Sequence, residues 1–145
     1  MPSLDPEEAR ARFAAARVAR LATAGGDGRP HVVPIVFALD GEVIYTAVDA
    51  KPKRSRELRR LRNIEENPRV ALLADHYDDD WTRLWWARAD GTARVVERDD
   101  PIRERAARLL ADRYQQYRES PPEDRAVAID VERWSGWSWE GESGR

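Results

Sequence analysis

Between Lys51 and Arg62 the chain sets Lys51, Lys53, Arg54, Arg56, Arg59, Arg60 and Arg62 against a single acid, Glu57. The run follows an apolar stretch that ends near Tyr45 and Thr46, and Pro52 interrupts it before a helical pattern begins. A strand that runs into a turn and then into a helix start suits an anion, because the first N–H groups of a helix are unpaired and its dipole favours negative charge. Lys53, Arg54 and Ser55 fall at that start. Each charge-assisted hydrogen bond to a phosphate contributes about 1.5–3 kcal/mol, so two or three make an anchor. Arg59, Arg60 and Arg62 lie further along the helix and read equally well as a solvated face.

Few other residues offer chemistry. There is no cysteine, which excludes disulfides, thiolate metal sites and thiol nucleophiles. The two histidines are isolated from each other. His31 lies in a strand pattern and is a weak candidate for proton donation. Asp75, His76, Asp78, Asp79 and Asp80 crowd one loop, but the spacing lacks the glycine and closing glutamate of a calcium loop, so a solvated acidic turn is expected and no metal. The net charge of −2 argues against a general nucleic-acid binder. No apolar run approaches the roughly 20 residues that span a bilayer, and the first dozen residues lack the apolar centre of a signal peptide, so a cytoplasmic protein without membrane contact is expected.

The elements that must position these groups are short. With 145 residues and no shift in composition, residues 1–145 read as one domain. Asp5-Pro6-Glu7-Glu8 is a helix start with an N-cap, a proline in the first turn and a capping-box acid. Residues 17–23, 29–39 and 42–48 read as three successive antiparallel strands in a meander, with Pro34 marking an edge or irregularity and Asp40-Gly41 a hairpin turn. Ser55 is expected to cap a helix that buries Leu58, Leu61 and Ile64. Residues 69–75 and 82–97 are further strands, with a bulge expected at Gly91 in the second. Asp99-Asp100-Pro101 opens a third helix, 126–134 alternates as a strand, and 136–140 is a last short one. Hairpins without βαβ alternation predict a mainly β chain: an antiparallel barrel of six or seven strands with three short helices outside it.

The order of these pieces resembles the pyridoxine 5'-phosphate oxidase-like family of split β-barrel flavin and deazaflavin proteins. Four segments carry the resemblance: 20–23 with 28–37, the strand 43–46, Lys51-Pro52-Lys53-Arg54-Ser55 with the helix to Asn63, and 67–72. Within the family the chain is most similar to a branch that uses the deazaflavin coenzyme F420, and the Leu84-Trp85-Trp86 stretch is similar to that branch too. The late arginine with which flavin oxidases of the family grip substrate has no recognisable counterpart, which turns the expectation away from vitamin B6 oxidation.

The resemblance implies a homodimer with two cofactor sites in the grooves between subunits. It implies that Thr46, Lys51, Lys53, Arg54 and Ser55 hold the phosphate and acidic tail, and that His31, Val32, Pro34 and Ile35 border the ring. Trp86, Arg88, Trp137 and Trp139 are candidates brought in by the partner subunit. The implied activity is hydride transfer from coenzyme F420 to an unsaturated small molecule. The alternatives are an FMN-dependent oxidoreductase on the same scaffold, or a carrier that stores cofactor without turnover. In each case the ring chemistry belongs to the cofactor and the protein supplies binding and orientation.

Overall fold

The computed structural model describes residues 3–48 and 54–139, with backbone alone for 54–58. A first helix, α1 (Pro6–Ala15), begins as the sequence predicts: the Asp5 carboxylate accepts from the Glu8 N–H at 2.9 Å. Two hairpins follow, β1 (Ala19–Ala24) with β2 (Pro30–Ile35), and β3 (Ala38–Asp40) with β4 (Val43–Ala47). Then come α2 (Arg54–Glu66), β5 (Arg69–His76), β6 (Trp85–Val96), α3 (Pro101–Arg113), α4 (Gln115–Glu119) and β7 (Ala126–Ser138).

All strand pairs are antiparallel, in the order β2-β1-β5-β6-β7-β4-β3. The two outermost strands, β2 and β3, are joined by Val36 and Phe37 alone. Laid flat at about 4.8 Å per strand, their separation would be about 29 Å. Two linking residues reach only about 11 Å. The sheet must therefore curl until its edges stand side by side, which makes an antiparallel barrel split along the β2/β3 seam. Phe13 from α1, Phe37 from the seam, Leu21, Ile44, Leu72 and Ile129 are fully buried in its core. The Phe13 ring lies 4.8 Å from Phe37 and 5.4 Å from Trp134. A second, smaller cluster forms where Ala106 of α3 meets Tyr45, Val96, Ala126 and Ala128, with Ile102 and Leu109 packed against it.

Several expectations are corrected. The meander is absent: 29–39 is two strands broken at Val36-Phe37, and these end on opposite edges of the sheet order. Asp40 pairs with Val43, so the hairpin turn is Gly41-Glu42, with Gly41 at φ 62°. Residues 126–138 form one long strand where a break was expected. Trp81–Arg83 is a 3-10 turn capped by Asp80, so β6 begins at Trp85. Arg54 already opens α2, so Ser55 lies inside the helix and does not cap it. A fourth helix, α4, was not foreseen. Pro34 does lie on an edge strand, and the β6/β7 register does shift at Asp90/Gly91. Among the described residues no helix is long and apolar enough to cross a membrane.

Candidate cofactor cleft

At the seam the chain leaves a cleft of about 280 Å³ lined by Val18, Pro34, Ile35, Val36, Thr46, Ala47, Arg60 and Tyr117. Each wall follows from the fold. β2 delivers Pro34 and Ile35 as it reaches the edge, β4 delivers Thr46 and Ala47, and α2 lays Arg60 alongside. Arg60 precedes Ile64 by one helical turn, so it shares the inward face with the buried Leu61, Asn63 and Ile64. Asn63 fixes that face by donating to the Thr23 hydroxyl at 3.0 Å inside the protein.

Tyr117 is placed by its neighbour Tyr114, which ends α3. The Tyr114 hydroxyl lies 2.9 Å from the Phe37 carbonyl and 3.0 Å from the Arg17 carbonyl, and it accepts from the Phe37 N–H at 3.2 Å. On the other side of the seam, the Thr46 hydroxyl donates to the Val36 carbonyl at 2.8 Å. The Val36-Phe37 link is thus held from β4 and from the α3/α4 junction together.

The interior of the cleft combines apolar walls with Thr46, 2% exposed, and the Arg60 side chain, 6% exposed. A guanidinium beside valine, proline and isoleucine suits a flat ring that carries an anionic group. The hydroxyl proton of Thr46 is committed to Val36, so in this arrangement Thr46 serves a ligand as an acceptor.

Of the residues singled out from sequence, Pro34, Ile35 and Thr46 converge here. His31 and Val32 do not line the cleft. His31 faces α2, where burial first, then the nearby Arg59 and Arg60, holds its imidazole below the ordinary value of 6.5. Val32 is 60% exposed on the opposite face of β2. Lys51 and Lys53 lie outside the described residues; Arg54 and Ser55 stand in the first turn of α2, where only the backbone is described.

Trp86, Arg88 and Trp137 form a separate group on β6 and β7. Trp86 and Trp137 are cross-strand neighbours, and the Arg88 guanidinium sits 5.3 Å from the Trp86 ring centroid. Arg88 also pairs with Asp90 at 3.3 Å, and Trp137 meets Trp139 edge-on at 6.4 Å. The register Pro34–Arg20–Leu73–Arg88 sets this group on the same outer sheet face as Pro34, three strands away, or about 14 Å. Within one copy it does not reach the cleft.

Sequence reasoning missed Val18, Val36, Ala47 and Tyr117, and it left Arg60 open between the anion site and a solvated face. Arg60 had a readable signal in its one-turn spacing from Ile64. Tyr117 had none, because its place depends on how the α3/α4 junction docks. The acidic loop is accounted for locally: Asp80 accepts from both the N–H and the hydroxyl of Thr82, and Asp78 lies 3.4 Å from His76 and 3.5 Å from Arg83.

Comparison with known proteins bears on the fold and the family. A reductase of 5a,11a-dehydrotetracycline and 5a,11a-dehydrooxytetracycline from Streptomyces rimosus is 38% identical over 56 residues, 39% of this chain and 38% of the relative. The chain therefore matches well under half of that protein's length. An FAD-binding protein from Mesorhizobium loti superposes with a TM-score of 0.68 at 25% identity, covering 92% of this chain and 94% of that one. A conserved hypothetical protein from Mycobacterium tuberculosis gives a TM-score of 0.70 at 23% identity over 97% of this chain and 88% of its own, a likeness of fold alone. Residues 5–138 match the family described as pyridoxamine 5'-phosphate oxidase, and the chain belongs to that family.

Proposed function

We propose that the protein is an oxidoreductase that binds coenzyme F420 in the cleft at the β2/β3 seam and reduces an unsaturated organic acceptor. The observation that carries this reading is the buried Arg60 beside apolar walls and Thr46. Those residues fit an anion-bearing planar ring. About 280 Å³ suits a ring system and not a whole nucleotide-like cofactor, so a tail must leave the cleft. Arg54 begins α2 about 9 Å of helix axis before Arg60, which sets the basic start of α2 within reach of that tail.

When bound, the deazaflavin supplies the hydride. The chain's own residues bind and orient. Val18, Pro34, Ile35 and Val36 exclude water from the ring, Arg60 opposes its negative charge, and Thr46 keeps the Val36 wall in place through its hydrogen bond. The reductase named among the relatives and the family's own name support redox chemistry on a ring cofactor.

The same proposal includes a homodimer. Val18, 41% exposed, Val32, 60% exposed, and Pro34 give the outer face of the β2 side an apolar character, and the Trp86–Arg88–Trp137 group lies on that face. A second copy packed there would cover the apolar residues and bring this group toward its partner's cleft. FMN is the second reading, favoured by the FAD-binding neighbour at 25% identity.

Equilibrium titration with both cofactors tests the reading. Tight binding of coenzyme F420 is expected; tight FMN binding with no affinity for F420 rejects it. Reduced cofactor is then mixed with a panel of enones and quinones, where binding without acceptor-dependent oxidation would mark a carrier. Sedimentation at several concentrations checks the dimer, and a monomer throughout would remove it.

A further inference from the structure

A second cleft, of about 370 Å³, adjoins the first and is lined by Arg17, Val36, Tyr114, Gln115, Gln116 and Tyr117. Val36 and Tyr117 belong to both, so the two lobes meet along a shared edge. We propose that this second lobe is the acceptor subsite, and that it takes a planar conjugated ring bearing an ionised hydroxyl or carboxylate. The proposal rests on the reading of the first lobe as the cofactor site and adds the class of molecule that would lie beside it.

The chemistry of the lining selects that class. Beside the shared Val36 and Tyr117, the second lobe is lined by the Tyr114 ring, two primary amides and the Arg17 guanidinium in place of the other aliphatic walls of the first. The Arg17 guanidinium lies 4.7 Å from the Tyr114 ring centroid and donates to the Arg113 carbonyl at 2.9 Å, so it is oriented before any ligand arrives. A guanidinium has five N–H donors, and this bond uses one of them. Arg113 adds a second cation near the same ring, 5.5 Å from the Tyr114 centroid. The nearest acid on the lining helix, Glu119, accepts from the Gln115 amide at 3.0 Å. Positive charge, amide donors and aromatic faces together match a flat anion, since stacking and charge-assisted hydrogen bonds are satisfied at once.

The position matters as much as the composition. Because Tyr114 is bonded to the Phe37 backbone and to the Arg17 carbonyl, the lobe is built on the same link that walls the cofactor cleft. A ring held against Val36 and Tyr117 in this lobe would meet, along the shared edge, a ring held in the first lobe. That juxtaposition is what a direct transfer between two bound molecules needs.

The test uses lawsone, an acidic hydroxynaphthoquinone, and menadione, its neutral counterpart, with binding followed by quenching of intrinsic fluorescence in the presence and absence of cofactor. Arg17→Ala should weaken lawsone about ten-fold, the size of one charge-assisted hydrogen bond, and leave menadione and the cofactor unchanged. Gln116→Ala, at an exposed position, should weaken lawsone by a smaller factor without loss of folding. Arg60→Gln, which lies in the first lobe alone, should do the reverse, lowering cofactor affinity and sparing lawsone. Equal lawsone affinity in wild type and in both lobe variants overturns the assignment, as does simple competition between lawsone and cofactor. If no cofactor binds but lawsone binding still depends on Arg17, the subsite stands and the cofactor reading falls.

Discussion

The Tyr114 hydroxyl meets both backbone groups of Phe37, accepting from its N–H at 3.2 Å and lying 2.9 Å from its carbonyl. One side chain at the end of α3 thus pairs both backbone groups of Phe37 in the link between the two sheet edges. Tyr114→Phe leaves the Phe37 N–H without this partner inside the protein. The expected cost is about 1–3 kcal/mol, read as a lower urea midpoint at unchanged slope. Both lobes share Val36, so cofactor and lawsone should weaken together. A variant with normal stability and normal binding would show that the link is held by other contacts.

Arg60 and Arg62 differ by two positions on one helix and by burial, the first buried and the second exposed. Arg60→Gln should lower cofactor affinity about ten- to hundred-fold, the effect of one or two charge-assisted hydrogen bonds, and flatten its salt dependence. Arg62→Gln should change neither. Lys53→Ala and Arg54→Ala test the tail in the same titration and should also lessen the salt dependence. Equal behaviour of the Arg60 and Arg62 variants would remove Arg60 from the cofactor site.

His31 makes stability depend on pH. Burial and the cations Arg59 and Arg60 lower its folded pKa below the unfolded value of 6.5. The unfolded chain then binds the proton more readily than the folded one. Stability from this group is present above 6.5 and is lost as pH falls through the folded pKa. Urea midpoints measured on both sides of that window should drop on the acid side, and His31→Leu should remove that part of the drop. An unchanged acid limb in the variant would assign it to other groups. Cofactor affinity at neutral pH should be unaffected, because His31 does not line the cleft.

The parts of the fold that were legible in the sequence are those decided locally. Asp5-Pro6 specifies the start of α1 through cap geometry, and Pro34 reports an edge because it has no N–H to give a neighbour. The parts that were not legible depend on the whole sheet. Val36 and Phe37 look like the middle of one apolar strand, and only the closure of the barrel makes them a link between opposite edges. The cleft divides in the same way. Pro34, Ile35 and Thr46 lie in strands whose apolar pattern is plain. Val18 and Tyr117 enter through the docking of segments far apart in sequence, and Arg60 was hidden by its charge, which suggested solvent.

Gly91 was readable for a local reason and gives the sharpest test of packing. The β6/β7 register shifts between Asp90 and Gly91, and a Cβ built on Gly91 would lie 2.2 Å from the Asp130 carbonyl oxygen and 3.0 Å from its carbon. Those atoms are backbone of β7, held by pairing on both sides, so they cannot swing aside as a flexible side chain would. Gly91→Ala must push two central strands apart or break the ladder there. A loss of about 3 kcal/mol is expected, the upper end for overpacking, and soluble yield should fall with it. Gly26→Ala is the control: its Cβ would meet the Glu66 carboxylate at 3.5 Å, an ordinary contact, and the change should stay within about 0.5 kcal/mol. If Gly91→Ala melts with the control, the bulge tolerates a side chain and the close approach of β6 to β7 is not what requires glycine.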